Sequence, residues 1–269
     1  MRRLNYFENR SKLPAIDALA YLERLQLKRE LPSLSYLKKI HRQHLATIPH
    51  ENLDIHFNKF ISWEIDPIFE KVIEGKRGGN NLELNFLFYH LLSQLGFDCY
   101  TVSASFYQGE EVGSAYQHLV ILVSIEESIW LVDVGHQKGP FLPKRLIENE
   151  LQVDYNRYLS FFTDSDDNWH LKSSKDTRQF ETMYRFALDE AQLIEFIQMH
   201  QFYQRDEKSP YRDGKLITQF FPEGRITLTD KKLVNWMNGI GEEIPIMNED
   251  EFLSKLEEFF GIRLQDLLK

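Results

Sequence analysis

The chain has 269 residues, 42% hydrophobic and 27% charged; at about 100–200 residues per domain this is one large or a few small globular units, and it excludes a disordered polymer, a collagen or a disulfide-dense miniprotein. Lys and Arg number 32 against 41 Asp and Glu, a net charge of −9, which opposes broad adhesion to nucleic acid or anionic lipid, so neither is expected as a partner. The single cysteine, Cys99, cannot form an intramolecular disulfide, the basic start through Arg10 lacks the apolar stretch of a secretory signal, and Leu119–Val123 is far short of the roughly 18 residues of a membrane span; the expected location is cytoplasmic.

The first ninety residues read as helices. Ile16, Leu19, Leu22 and Leu25 form an apolar stripe at helical spacing after Pro14. A second helix runs from about Ser33 to Ile48 and is stopped by Pro49. A third is punctuated by Asp66 as N-cap, Pro67 in its first turn and Gly75 at its end. After the loop Lys76-Arg77-Gly78-Gly79, a fourth helix runs from Asn80 or Asn81 to Leu95 and closes at Gly96. The period then changes to two, giving strands over Cys99–Tyr107, His118–Ile125 and Ile129–Val134, the last two joined as a hairpin by Glu126-Glu127-Ser128. Residues 154–175 are polar, with a turn near Asp164, Asp166 and Asp167. Beyond them come a strand near Phe180–Phe186, a helix near Glu190–Phe202, strands around Leu216–Phe221 and Arg225–Leu228, and a last helix from Glu249 to Phe260 begun by Asn248. Helices first and antiparallel strands later define an α+β protein.

The chemistry-bearing residues gather at one place. A glycine loop opening onto a helix start aims N–H groups and the positive end of a helix dipole at one point, although its spacing is neither a Walker loop nor a dinucleotide fingerprint. In the hairpin, a turn at Glu126 and Glu127 sets His118 opposite Gly135 and makes Asp133 its diagonal neighbour on the same face. A His beside an Asp is a base with an orienting partner.

The ordered set His41-Arg42-Gln43-His44, Ile48-Pro49-His50-Glu51-Asn52-Leu53-Asp54, Arg77-Gly78-Gly79-Asn80-Asn81-Leu82-Glu83-Leu84-Asn85, His118 heading a strand, Asp133-Val134-Gly135 and Ser209-Pro210-Tyr211 resembles the arylamine N-acetyltransferase family over nearly the whole chain. The resemblance implies an N-terminal helical bundle (1–97), an antiparallel β-barrel-like middle domain (98–188) and a C-terminal α/β lid (189–269) around a cysteine-protease-like core. It also implies a Cys-His-Asp triad that takes an acetyl group from acetyl-CoA and passes it to the nitrogen of an arylamine or hydrazine, a ping-pong acyl transfer.

The resemblance fails at the nucleophile. By alignment the cysteine position holds Asn81, so the triad reads Asn81, His118, Asp133, and the aromatic position before it holds Asn80. An amide nitrogen whose lone pair is delocalised into its carbonyl is not a nucleophile that a histidine can activate near neutral pH. Cys99 lies beyond a helix of about fourteen residues, roughly 20 Å away, and reads as a small buried strand residue. His50 stands where the family usually has Phe, and His136-Gln137 where it has Phe-Gly, so His50, Asn80, Phe106 and His136 are expected to line a more polar substrate pocket. Gly78, Gly79 and Ser114 are the positions expected to face coenzyme A, and Arg205 or Lys208 a phosphate.

Two functions compete. One is a pseudoenzyme or ligand-binding homologue that holds a small molecule; the other is direct acyl transfer or thioester hydrolysis, with His118 and Asp133 as general base and Asn81 as oxyanion donor. A metal is not expected: His41 and His44, with His50 and His56 nearby, lack a further ligand at defined spacing.

Overall fold

The computed structural model describes residues 14–109, 111–222, 224–238 and 240–268; the basic start, residues 1–10, lies outside them. Helix α1 (Ala18–Arg24) is capped by Asp17, whose Oδ1 accepts from the N–H groups of Leu19 and Ala20 at 3.0 and 2.9 Å. Ser33 caps α2 (Leu34–Thr47). Strand β1 (His50–Glu51) and the short α3 (Leu53–His56) follow. Helix α4 (Ile65–Phe69) starts earlier than its punctuation implies: Glu64 is the N-cap, Asp66 and Pro67 lie inside the first turn, and the helix runs on into a π-helical turn, Glu70–Glu74. Proline marks that start only loosely, because every N–H of a first turn lacks an intrahelical acceptor and proline's missing donor is not felt there.

Helix α5 (Asn81–Leu95) begins and ends as its sequence dictates. Asn80 Oδ1 accepts from Leu82 and Glu83 N–H at 2.9 and 3.1 Å, Glu83 returns a carboxylate oxygen to the Asn80 N–H at 2.9 Å, and Gly96 closes the helix at φ 91°. Both of its faces are buried, so this helix is the central post of the fold.

The middle of the chain forms one antiparallel sheet in the order β6-β5-β4-β2-β10-β9-β8-β7, built from β2 (Asp98–Gln108), β4 (His118–Ile125), β5 (Ser128–Val132), β6 (Lys144–Arg145), β7 (Gln152–Asp154), β8 (Arg157–Thr163), β9 (Trp169–Ser174) and β10 (Glu181–Glu190), with β3 (Glu111–Val112) beside β2. Its two ends meet. Gln152 on β7 exchanges side-chain hydrogen bonds with the Arg145 backbone at 2.9 and 2.7 Å, and Lys144 Nζ donates to Val153 O at 2.8 Å. The result is a nearly closed barrel. Strand β4 is buried on both faces: Leu119, Ile121 and Val123 join the helical core with α5, while Val120 and Leu122 point into the barrel with Phe161, Tyr184 and Phe186. The polar segment 154–175 therefore holds two strands, β8 and β9, turned at Asp164–Asn168. Only Leu159, Phe161 and Leu171 of this hairpin enter the barrel core, too few for a clear period-two signal.

The C-terminal third contributes a 3₁₀ turn (Leu193–Phe196), α6 (Ile197–Arg205), a meander of β11 (Leu216–Phe221), β12 (Gly224–Thr229), β13 (Lys232–Met237) and β14 (Ile240–Pro245), and the helices α7 (Glu249–Phe260) and α8 (Leu264–Leu268). Strand β1 pairs with β11, His50 opposite Thr218, so residues from the N-terminal third complete this five-stranded sheet. Strands β13 and β14 are not legible in the sequence because β13 buries only Leu233 fully and nearly all of β14 is exposed. Among the described residues no helix is long and apolar enough to cross a membrane.

Candidate functional site

The loop Arg77-Gly78-Gly79 is anchored by a buried ionic network. Arg77 donates from Nε and Nη2 to Glu51 Oε1 at 3.1 and 2.7 Å and from Nη2 to Asp54 Oδ1 at 2.8 Å; Lys71 reaches Asp54 at 2.6 Å and Glu83 at 3.1 Å. Burial opposes ionisation of Asp54, but Lys71 and Arg77 outweigh it and bring its carboxyl down to about 2. Through Glu83 and its bond to the Asn80 N–H, the network fixes the start of α5. Replacing Arg77 by methionine leaves Glu51 without its buried cation and Asp54 with Lys71 alone, so Arg77→Met is expected to cost about 3–5 kcal/mol, read as a lowered urea midpoint at unchanged slope.

The glycines serve that anchoring and do not form an anion cradle. A Cβ on Gly78 would lie 2.1 Å from Pro49 O, and Gly79 exchanges backbone bonds with the β1 segment, Glu51 N–H to Gly79 O at 2.8 Å and Gly79 N–H to Pro49 O at 3.3 Å. Neither lines the cleft. Asn80 is likewise absent from the cleft wall, because its side chain is spent on the helix cap.

The cleft, of about 880 Å³, opens between α5, the barrel mouth and the C-terminal sheet. Asn81, Phe106, His50 and His136 line it as the sequence suggests, with Ser114 and Lys208 also on the wall; Arg205 is not. Wall residues that sequence reasoning passed over include Gln117, Met199, Phe202 and Tyr203, while Tyr211 entered only as part of the family motif.

Packed against the wall residues Phe106 and His136, His118 Nε2 meets Asp133 Oδ2 at 2.8 Å, both side chains fully buried. The hairpin register delivers this pair: Ile125 faces Ser128 and Ile121 faces Val132, which continued places His118 opposite Gly135. Asp133 is saturated with donors. Tyr184 OH donates to Oδ2 at 3.0 Å, and Asn85 Nδ2, Gly135 N–H and His136 N–H donate to Oδ1 at 2.9, 3.1 and 3.1 Å. Burial works against its charge, yet His118 and these donors hold the carboxyl well below the usual range. An ionised carboxylate can only accept, so Nε2 carries the proton and, in the neutral ring, Nδ1 is left as an acceptor. Nδ1 has no protein partner. Asn85, one helical turn after Asn81, also takes Val134 N–H at 2.8 Å and joins α5 to the Asp133 loop; its i, i+4 spacing from Asn81 was a legible signal. Tyr184, 51 positions from Asp133 in the chain, was not.

Asn81 is the first residue of α5. Its Nδ2 donates to Gln117 O at 3.0 Å, and because a carbonyl accepts only, this fixes the amide orientation: Oδ1, buried and without a protein partner, is its unspent group. The oxyanion-donor role expected for the side chain is therefore weakened, since one amide N–H is already committed. Gly135 closes against this residue, where a Cβ would come within 2.3 Å of Asn81 O. His50 and His136 stay neutral: burial, and then the neighbouring His118, bring His50 down to about 4, and burial brings His136 to about 3 against the pull of Asp133. Phe106, His118 and His136 pack together, with ring centroids 5.2 Å from Phe106 to each histidine and 5.5 Å between the two histidines. His41 and His44 are core residues, and among the described residues no group of three or more His, Cys, Asp or Glu is placed to hold a metal ion.

An imidazole oriented by a carboxylate lies beside the cleft that holds Asn81, the first residue of α5, and a family model described as N-acetyltransferase matches residues 33–268. The chain belongs to the arylamine N-acetyltransferase family. The arylamine N-acetyltransferase of Escherichia coli (strain K12) is 26% identical over 238 residues, 87% of this chain and 84% of the relative. Arylamine N-acetyltransferase 2 of Mesocricetus auratus is 24% identical over 282 residues, 94% and 96% of the two chains. The solved arylamine N-acetyltransferase of Salmonella typhimurium has the same fold, with a TM-score of 0.86 at 24% identity over 93% of this chain and 92% of that one.

Proposed function

We propose that this family member binds a coenzyme A thioester, together with or in place of a small arylamine-like molecule, without passing an acetyl group through the protein; for ping-pong transfer it is a pseudoenzyme. The observation that carries this reading is the amide of Asn81 at the first position of α5, where the family's cysteine would stand. Cys99 does not replace it. It pairs with Val123 at the far end of β4, five residues from His118, about 17 Å at strand spacing. Support for a thioester ligand comes from the cleft's dimensions, its apolar wall of Phe106, Met199 and Phe202, and the cations Lys208 and Lys231 with Ser114 along its lining.

Calorimetric titration with acetyl-CoA, paired with intact mass of the protein after incubation with acetyl-CoA, tests this. Saturable binding with an unchanged mass is the expected result. An acetylated protein would overturn the loss of the covalent step, and absence of binding would overturn the ligand assignment.

A further inference from the structure

Two buried acceptors on different elements have no protein partner, Asn81 Oδ1 on α5 and His118 Nδ1 on β4. They belong to neighbouring groups: the Asn81 amide is bonded to the carbonyl of Gln117, the residue immediately before His118. The His118 ring packs on Phe106 and His136, both of which line the cleft, as Asn81 itself does. Buried acceptors carry a desolvation cost unless something donates to them. An acyl carbon cannot donate, nor can a thioester sulfur. A water can donate to both at once, keeping its lone pairs for attack.

We propose that Asn81 and His118 together hold a hydrolytic water, and that the protein cleaves an acyl-CoA thioester directly, without an acyl-enzyme. The proposal rests on the thioester-binding reading above. The water oxygen bonds to the acyl carbon while one of its protons passes to His118 Nδ1, and the charge gained on the ring is met by Asp133 at 2.8 Å. The tetrahedral oxyanion collapses, the carbon–sulfur bond breaks, and the thiolate takes the proton from His118. One thioester and one water give one carboxylic acid and one free thiol, with no oxidation or reduction. Asn81 acts here through its oxygen as a positioning acceptor. The oxyanion is met by the positive end of the α5 dipole, where Asn80 Oδ1 already occupies the Leu82 and Glu83 N–H groups.

The test uses the full chain with acetyl-CoA and no amine, following free thiol with a chromogenic reagent alongside calorimetric binding and intact mass. The expected result is thiol release above the buffer rate, with unmodified protein throughout. His118→Gln is expected to lower turnover by on the order of 10²-fold or more. Asn81→Leu, similar in volume but without Oδ1, is expected to lower kcat by about 10-fold or more with acetyl-CoA affinity retained, a split that lost folding would not produce. Binding without thiol release by the wild type overturns hydrolysis and leaves the thioester-binding reading standing. Absence of binding overturns that reading, and the hydrolysis proposal with it. Release that survives undiminished in His118→Gln, or in Asn81→Leu, overturns the assignment of the water to these two groups.

Discussion

Asn81→Cys is expected to convert this chain into an acetyltransferase that works through an acetyl-cysteine, with a gain in amine acetylation on the order of 10⁴-fold or more over the wild type. The setting for a thiolate is in place. Position 81 opens α5, whose dipole favours negative charge there, and His118, held by Asp133 at 2.8 Å, has its Nδ1 unspent. The substitution removes little else. The Asn81 amide gives up one hydrogen bond to Gln117 O, about 1 kcal/mol, and that carbonyl keeps the Tyr203 hydroxyl at 2.8 Å. The tight approach of Gly135 is to the Asn81 backbone and is unchanged by the new side chain. Intact mass after incubation with acetyl-CoA should show one added acetyl group, discharged on addition of an arylamine. A variant that binds acetyl-CoA but never becomes acetylated would show that His118 does not serve position 81.

Acidification is expected to destabilise the native state steeply between pH 6.5 and about 4. Burial brings His41, His50 and His90 down to about 4 from an ordinary value of 6.5. Above pH 6.5 each is neutral in both states and costs nothing. Below it the unfolded chain takes up protons that the folded chain refuses, so stability falls as pH falls, and levels off once the folded-state values are reached. Each such histidine contributes a slope of up to about 1.4 kcal/mol per pH unit, and three together amount to about 5 kcal/mol between pH 6.5 and 5. Asp54, down at about 2, extends the loss below pH 4 by the same rule with the carboxylate's sign: its stabilisation is full above the ordinary value of 3.8 and fades towards about 2. Urea unfolding from pH 7 to 4 measures the slope. His90→Gln, remote from the cleft and packed on Phe86 at 4.8 Å, should flatten it by about one proton's worth; an unchanged slope would mean that His90 titrates alike in both states.

The sequence by itself determined much of this protein. The caps Asp17, Ser33, Asn80 and Asn248, the stops Pro49 and Gly96, and the β-branched apolar run of β4 act within a few residues and need no partner elsewhere, so most of the helices and the central hairpin followed from local chemistry, and with the hairpin register came the His118–Asp133 pair. The motifs along the chain also carried the family. The tertiary structure decided what each group is free to do. Nothing local says that Asn80 is consumed by a helix cap, that Gly78 is packed on Pro49 O instead of facing a phosphate, or that Asn81 turns its nitrogen to Gln117 and leaves its oxygen unspent. Each depends on which of a side chain's few hydrogen bonds is already taken by a partner from a distant segment, as Tyr184 is for Asp133. Residue type sets the number of donors and acceptors, and folding alone settles which of them remain for a ligand.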